Sequence, residues 1–429
     1  MIKAVKGTRD ILPPASAVWN TVEEITRRVF ALYNYQEIRT PIFEETGLFA
    51  RSVGEDTDIV SKEMYTFEDR DGSSLTLRPE ATASVVRAYI EHRLDQIPGV
   101  QKLYYIGPMF RRERPQKGRY RQFYQIGAEA IGSDSPSVDA EVIEMVVHLL
   151  AEVGIHGAEL LINSVGTRAS RARYNEELRR RLADVAPKLC ADCQRRAQTN
   201  PLRVLDCKVP EDQPIIETLP SILDFLDEAD RTHFMRVREF LDDRGIAYQV
   251  KPRLVRGLDY YARTTFEITH GALGAQNSIL GGGRYDGLAE SLGSKVAAPG
   301  IGFSIGEDRL VMTVEQQQSA AAAASRLDVY LAPMGEAALK HGAVLAGELR
   351  RAGVSVEVGT DSKLKRMLEL ANKIGARYAL IIGDNELVTM TYGLKDMAGG
   401  EQATVTRQEL LQRLGRESLD RLSREKTNQ

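Results

Sequence analysis

The stretch RRERPQKGRYRQF, residues 111–123, places six cationic side chains and one carboxylate in thirteen positions. Five of the six are arginines, whose planar guanidinium grips phosphate oxygens in pairs and stays charged when desolvated. Glu113, in their midst, can orient an arginine or accept a hydrogen bond from an adenine amino group. A charge run is often only a solvated surface. Here, however, it lies between KLYYIGPMF and FYQIGAEAIG, two aromatic and β-branched runs that read as the strands of an antiparallel hairpin. The cations then sit on an anchored loop broken by Pro115 and Gly118, suited to a polyphosphate, a nucleic-acid end, or both.

Other stretches add weaker signals. No G-x-x-x-x-G-K-[ST] loop occurs, so phosphate recognition has to come from arginines on a sheet. FSIGEDRL brings Arg309 to the start of an apolar helical stretch, behind Glu307 and Asp308 in a first turn that favours acids. RGLDYY sets Arg256, Tyr260 and Tyr261 on or beside a strand, where paired tyrosines often serve only cross-strand packing. RPEAT offers Glu80 and Thr82 at a strand–helix junction, which can also be a plain helix cap. Cys190 and Cys193 form a C-x-x-C, with Cys207 further on. Zinc wants four ligands and only the distant His233 stands to supply the last, so no metal is expected.

The rest of the chain must position these groups. Its 429 residues are enough for two or three domains, and 43% hydrophobic with 27% charged residues is ordinary for a soluble protein. A net charge of −3, from 57 Lys and Arg against 60 Asp and Glu, argues against general nucleic-acid coating or membrane adhesion. The N-terminus lacks a signal-peptide core, no apolar run is long enough for a membrane span, and three cysteines fit a reducing cytoplasm. Val18, Val22, Ile25, Val29 and Leu32 stripe a helix, and YQEIRTPIF reads as a strand broken by Pro41. SSLTLRPEATASVVRAYIEH reads as a strand entering a helix, and residues 137–154 as another helix. Residues 168–250 turn Arg-rich and helical, as an inserted module would. Residues 316–326 read as a low-complexity linker. Beyond them strands alternate with amphipathic helices, which predicts a small α/β domain with a largely parallel sheet.

KGTRDILP, TLRPE, FRRERPQKGRYRQFYQIGAE, LVRGLDYY, GGGRYDGL and GIGFSIGEDRL occur together and in order. In this the chain resembles the class II aminoacyl-tRNA synthetases, and within them the histidine-specific family, of which RGLDYY is the most discriminating mark. The resemblance spans essentially the whole chain. It implies an α+β catalytic domain on a mostly antiparallel sheet (1–167 and 251–315), a helical insertion (168–250), a linker (316–326) and an α/β anticodon-binding domain (327–429). It implies activation of L-histidine by ATP with Mg²⁺, then transfer to the 3′ end of tRNA(His), by a cytoplasmic homodimer.

By the same resemblance Arg111, Arg256 and Arg309 are catalytic. Glu80, Thr82, Gln125, Glu129, Tyr260 and Tyr261 bind histidine with Arg111 and Arg256. Glu113 and Arg119 join Arg111 and Arg309 at ATP, and Gln116 and Arg121 face tRNA. The helix SKLKRMLELANKIGARY gives the anticodon domain a basic face through Lys363, Lys365 and Arg366. In place of the commoner Glu, Asp308 precedes Arg309. The rival is a non-enzymatic regulatory paralogue of the kind attached to ATP phosphoribosyltransferase. Such proteins lack the anticodon domain and degrade RGLDYY, whereas this chain keeps both.

Overall fold

The computed structural model describes residues 2–54, 57, 59–116, 118–271, 277–317 and 327–415. The chain divides into two units, residues 1–319 and 320–429. In the first, the striped segment forms α1 (Ala15–Leu32), burying Trp19, Val22, Val29 and Phe30. Pro41 does break the strand after it. β1 (Gln36–Glu37) joins the main sheet, while β2 (Phe43–Glu45) pairs in a small antiparallel sheet with β3 (Tyr65–Glu68) and β4 (Ser74–Leu77). Between β2 and β3 lies α2 (Thr46–Val53), and β4 leads to α3 (Thr82–Glu91).

The basic stretch is the tip of the hairpin β5 (Gln101–Phe110) and β6 (Gln122–Ile131), antiparallel from Gln101↔Ile131 to Phe110↔Gln122. α4 (Pro136–Glu152) follows, with Ser135 capping it by accepting from the Ser137 N–H and proline in its first turn. After β7 (Glu159–Ser164), the insertion contains α5 (Arg168–Val185), α6 (Ala191–Thr199), the short α7 (Gln213–Ile216) and α8 (Glu228–Asp243). β8 (Gln249–Val250), β9 (Ala262–Thr269), β10 (Ser278–Arg284), the short α9 (Leu288–Ser291), β11 (Gly300–Gly306) and α10 (Glu307–Gln317) complete the unit.

The eight-stranded sheet runs β1-β5-β6-β11-β10-β9-β7-β8 and is antiparallel except at its two edge pairs. Strand side chains alternate between faces. One face carries Ile126, Ala128 and Ala130, then Ile301, Phe303 and Ile305, and packs against α1, α4, α8 and α10 in the main core. The opposite face carries the candidate site. α8 belongs to the main core through Phe234, Val237 and Leu241, and β8 joins the main sheet. The expected module 168–250 is therefore divided. Residues 165–226 build a small core of their own, which also takes in Val255 and Tyr261.

A buried polar strut ties the core side together. The Arg284 Nε donates to Asp139 Oδ1 at 2.7 Å with both side chains fully buried, and Arg284 also pairs with Asp286 at 2.8 Å. His233 lies 3.6 Å from the same Asp139, far from any role beside the cysteines.

The second unit has β12 (Val329–Pro333), α11 (Glu336–Arg351), β13 (Val356–Val358), α12 (Leu364–Lys373), β14 (Tyr378–Ile382), α13 (Asp384–Thr389), β15 (Thr391–Asp396) and β16 (Gln402–Thr406). Its sheet, β13-β12-β14-β15-β16, is parallel over its first three strands and antiparallel over the rest. The largely parallel expectation thus needs correcting. Helical crossovers join the parallel strands, but a tight turn bearing Gly400 at φ 72° closes β15 and β16 into a hairpin. Of the expected linker, 318–326 lies outside the described residues, and α10 extends to Gln317.

Candidate active site

The second face of the sheet has an unusual floor. Across four adjacent strands the residues on it are Gln125, Gly127 and Glu129, then Gly306, Ser304 and Gly302, then Gly281 and Gly283, then Glu267 and Thr265. Tyr105, Met109 and Ile131 on the same face pack a separate core with Val85, Val86 and Tyr89 of α3, while over these strands the glycines leave the floor open. At two of these positions the missing side chain has a direct purpose. A Cβ on Gly281 would fall on the Arg256 guanidinium, and one on Gly302 on the Glu129 carboxylate. Gly281 of GGGRYDGL and Gly302 of GIGFSIGEDRL thus clear space for charged groups.

One end of the floor is acidic and closed. Glu129 is fully buried; Tyr285 donates to it at 2.6 Å and Thr82 at 2.7 Å. Burial pushes its carboxyl up to about 8, against the pull of those two hydroxyls, and nearby Glu80 adds to the rise. Glu80 is also buried and raised by burial, and it accepts the Thr82 and Ala83 N–H groups of the first turn of α3 at 2.8 and 3.0 Å. It is therefore both a helix cap and a pocket wall. Tyr260 and Tyr261 lie with ring centroids 4.8 Å apart and planes tilted by 53°, and Tyr285 lies edge-on to Tyr260 at 6.0 Å. They sit in a turn before β9, not on the strand. Gln125 donates to Ser304 at 3.4 Å, while its buried carbonyl oxygen has no protein partner. These are polar groups awaiting a polar guest.

The other end gathers cations. The Arg111 Nε donates to the Pro79 carbonyl at 2.9 Å, the guanidinium lies over Phe123 at 5.3 Å, and its charge is felt by Glu80. Glu113 joins Arg119 at 3.0 Å and Arg111 at 3.8 Å. Arg309, in the first turn of α10, donates to the Ser278 carbonyl at 2.9 Å. Burial, then the like charge of Arg119, pulls Arg309 below its ordinary value, with Glu113 and Glu267 acting the other way. Arg256 lies 3.5 Å from Glu267; burial opposes its charge, but Glu267 and Tyr261 outweigh that and raise it. Glu113 therefore links Arg111, Arg119 and Arg309, and Glu267 links Arg309 to Arg256. The four arginines converge on one face, and like charges held side by side favour an anion between them.

The two residues expected to face tRNA, Gln116 and Arg121, lie in the hairpin tip between β5 and β6. Arg121 bonds the N-terminal segment, its N–H to the Gly7 carbonyl at 2.7 Å and its guanidinium to that of Lys6 at 3.3 Å. Gln116 pairs with Arg119 in the tip of the hairpin. Sequence reading missed Glu267, Tyr285 and Ser304. Glu267 had a visible signal, a charge in phase with Thr265 inside the apolar run TTFEIT. Arg9 of KGTRD was missed as well. It pairs with Asp308 at 2.6 Å and lies over Tyr120 at 4.3 Å, pinning the N-terminus to the start of α10.

A mostly antiparallel sheet whose bare face joins buried carboxylates to a convergent set of arginines defines a class II aminoacyl-tRNA synthetase catalytic domain. The family described as histidyl-tRNA synthetase matches residues 7–310, and the anticodon binding domain family matches 328–417. The histidine–tRNA ligase of Solibacter usitatus (strain Ellin6076) is 70% identical over 414 residues, 96% of this chain and 99% of its own length. That of Koribacter versatilis (strain Ellin345) is 59% identical over 96% of this chain and 95% of its own. The crystal structure of apo S. aureus histidyl-tRNA synthetase superposes with a TM-score of 0.82 at 41% identity, covering 97% of this chain and all of that one. The chain belongs to the histidyl-tRNA synthetase family, and with it to the ATP-dependent enzymes that ligate histidine to tRNA.

Proposed function

We propose that the glycine-floored face binds histidine at its carboxylate end and ATP at its arginine end, so that the histidine carboxylate meets the α-phosphate between Arg111 and Arg256. The observation that carries this is the continuity of the two ends. Glu80 feels Arg111, and Glu267 bridges Arg256 to Arg309. The histidine carboxylate is ionised at neutral pH, so no strong base is required. The chain supplies positioning and charge neutralisation around a crowded phosphate.

In this reading Arg111 and Arg256 grip the α-phosphate from opposite sides, while Arg309, with Arg119, holds the terminal phosphates. Glu113 serves the adenine end. Glu129, Glu80 and Thr82 meet the amino group, and Gln125, Tyr260 and Tyr261 complete the partners of the imidazole nitrogens. A ring whose nitrogens are both paired excludes apolar isosteres without editing, because such isosteres would strand the pocket's own polar groups. Mg²⁺ is expected to accompany ATP. Glu267 fits it as the single protein carboxylate that a Mg²⁺ completed by phosphate and water oxygens needs, and the ion would offset phosphate charge.

Gln116 and Arg121 are assigned to the acceptor end of tRNA(His), and residues 168–226 to bracing its stem. Lys363, Lys365 and Arg366 form the basic face for the anticodon arm. The homodimer is expected through the segment around β2, where Ile42 and Phe43 are exposed. A cytoplasmic location accords with three free thiols. No described helix is long and apolar enough to cross a membrane.

Histidine-dependent ATP–pyrophosphate exchange, followed by aminoacylation of tRNA(His) with and without its extra 5′ nucleotide, tests the reading. Exchange that proceeds equally without histidine would overturn it.

A further inference from the structure

The three cysteines were expected not to complete a ligand set, yet folding supplies a fourth donor from a residue the spacing did not suggest. The Sγ atoms of Cys190, Cys193 and Cys207 and a carboxylate oxygen of Asp212 all lie within 4.8 Å of one another. Cys190 and Cys207 are 3.9 Å apart, and Cys207 is 3.2 Å from Asp212 Oδ2. A tetrahedral zinc with Zn–S of about 2.3 Å needs ligand atoms separated by roughly 3.8 Å, so the four donors already stand near its corners.

The surroundings suit a cation. Cys193, Cys207 and Asp212 are buried, and no Lys or Arg pairs with Asp212 among the described residues. Cys190 stands at the N-cap position of α6 and Cys193 in its first turn, close to the helix N-terminus, whose partial positive charge favours thiolates. The Val209 N–H donates to the Cys207 sulfur at 3.4 Å, and the Cys190 N–H holds Asp212 Oδ1 at 3.0 Å. Two buried thiols, a half-buried third and a buried carboxylate with no cationic partner stand together, and a divalent ion would satisfy all four.

We propose that Cys190, Cys193, Cys207 and Asp212 bind a structural Zn²⁺ that closes the 190–212 segment. The consequence reaches the active site. Between Cys193 and Cys207, the Arg203 guanidinium donates to the Gly257 carbonyl at 2.8 Å and Asn200 to Asp259 at 3.2 Å. Those two contacts fall between Arg256 and the paired tyrosines, so the metal braces the RGLDYY turn. The metal assignment stands on ligand geometry alone; its effect on histidine binding rests on the reading of Arg256, Tyr260 and Tyr261 given above.

The test uses full-length protein made without a polyhistidine tag. Metal analysis should find about one zinc per chain. Titrating the chelator-stripped, reduced protein with Co²⁺ should give tetrahedral ligand-field bands and thiolate-to-cobalt charge transfer, which only these thiols can produce, since the chain has three cysteines. Cys193→Ser should abolish both, and Asp212→Asn should keep charge transfer but weaken Co²⁺ binding tenfold or more. Stripping zinc should raise the histidine KM several-fold more than the ATP KM. An absent thiolate band in reduced protein, or a Cys190–Cys207 disulfide in freshly purified protein, would overturn the metal assignment. Zinc present with an unchanged histidine KM on stripping would overturn only the bracing. Should Cys193→Ser fail to fold, chelator-accelerated reaction of the wild-type thiols with a disulfide reagent decides the same point, and no acceleration counts against zinc.

Discussion

Replacing Glu129 by Gln keeps its shape and removes its charge, which separates the two things that carboxylate does. In the empty pocket it holds its proton up to about pH 8, because burial outweighs the Tyr285 and Thr82 hydroxyls. In the unfolded chain it loses that proton near the ordinary 4.5. The sign follows directly. The folded state binds the extra proton between those values, so this group's contribution to stability is fully present below 4.5 and is lost as pH rises through about 8. The full loss is on the order of 5 kcal/mol at most. Gln does not titrate, so the stability of Glu129→Gln relative to wild type should climb between pH 5 and pH 8. Thermal or urea unfolding at several pH values measures that slope.

Function should move the opposite way. The ammonium of bound histidine favours the ionised form of Glu129, and the charge-assisted hydrogen bond then made is worth about 1.5–3 kcal/mol. Its loss should raise the histidine KM roughly 10–150-fold in pyrophosphate exchange, with the ATP KM little changed. Equal rises in both constants would refute the assignment of Glu129 to the amino acid. Parallel stability profiles for variant and wild type would refute the claim that burial holds its proton.

Arg256→Ala should lower the rate of histidine activation about 100–1000-fold, the usual cost of removing one preorganised donor from a developing charge, as read by single-turnover adenylate formation. Gly281→Ala should reproduce much of that defect in a folded protein, because the new Cβ displaces the Arg256 guanidinium; a variant with wild-type turnover would count against the clearance argument. Arg284→Met should destabilise the first unit by about 3–5 kcal/mol in denaturant unfolding, since it leaves Asp139 buried without its cation. Arg9→Ala, which removes a partner of Asp308 at the start of α10, should raise the ATP KM more than the histidine KM, because Arg309 stands on the same turn.

What could be read from the sequence was whatever is encoded locally. The hairpin announced itself by two apolar runs around a cationic tip, and α1 by its stripe, because alternation and helical period are properties of neighbouring residues. Arg256 and Arg309 came from motif resemblance, not from any local pattern. Their meeting could not have been derived, since it depends on β11 inserting between β6 and β10 and on Glu267 facing Arg256 from a third strand. Asp212 escaped for the same reason. Nothing in its spacing from Cys207 resembles a ligand motif; it reaches the thiols only because the 201–204 and 210–212 turns fold back onto the start of α6. Glycines carried the opposite ambiguity. A glycine run such as GGGRYDGL ordinarily marks a tight turn, yet three of its glycines lie in a regular strand. Gly281, with Gly302 on the neighbouring strand, acts by subtraction: a side chain at either position would fill the space in which an arginine or a glutamate now stands. A residue that acts by being absent leaves no pattern of its own, so such positions become interpretable only when the neighbouring strand supplies the group that occupies the space.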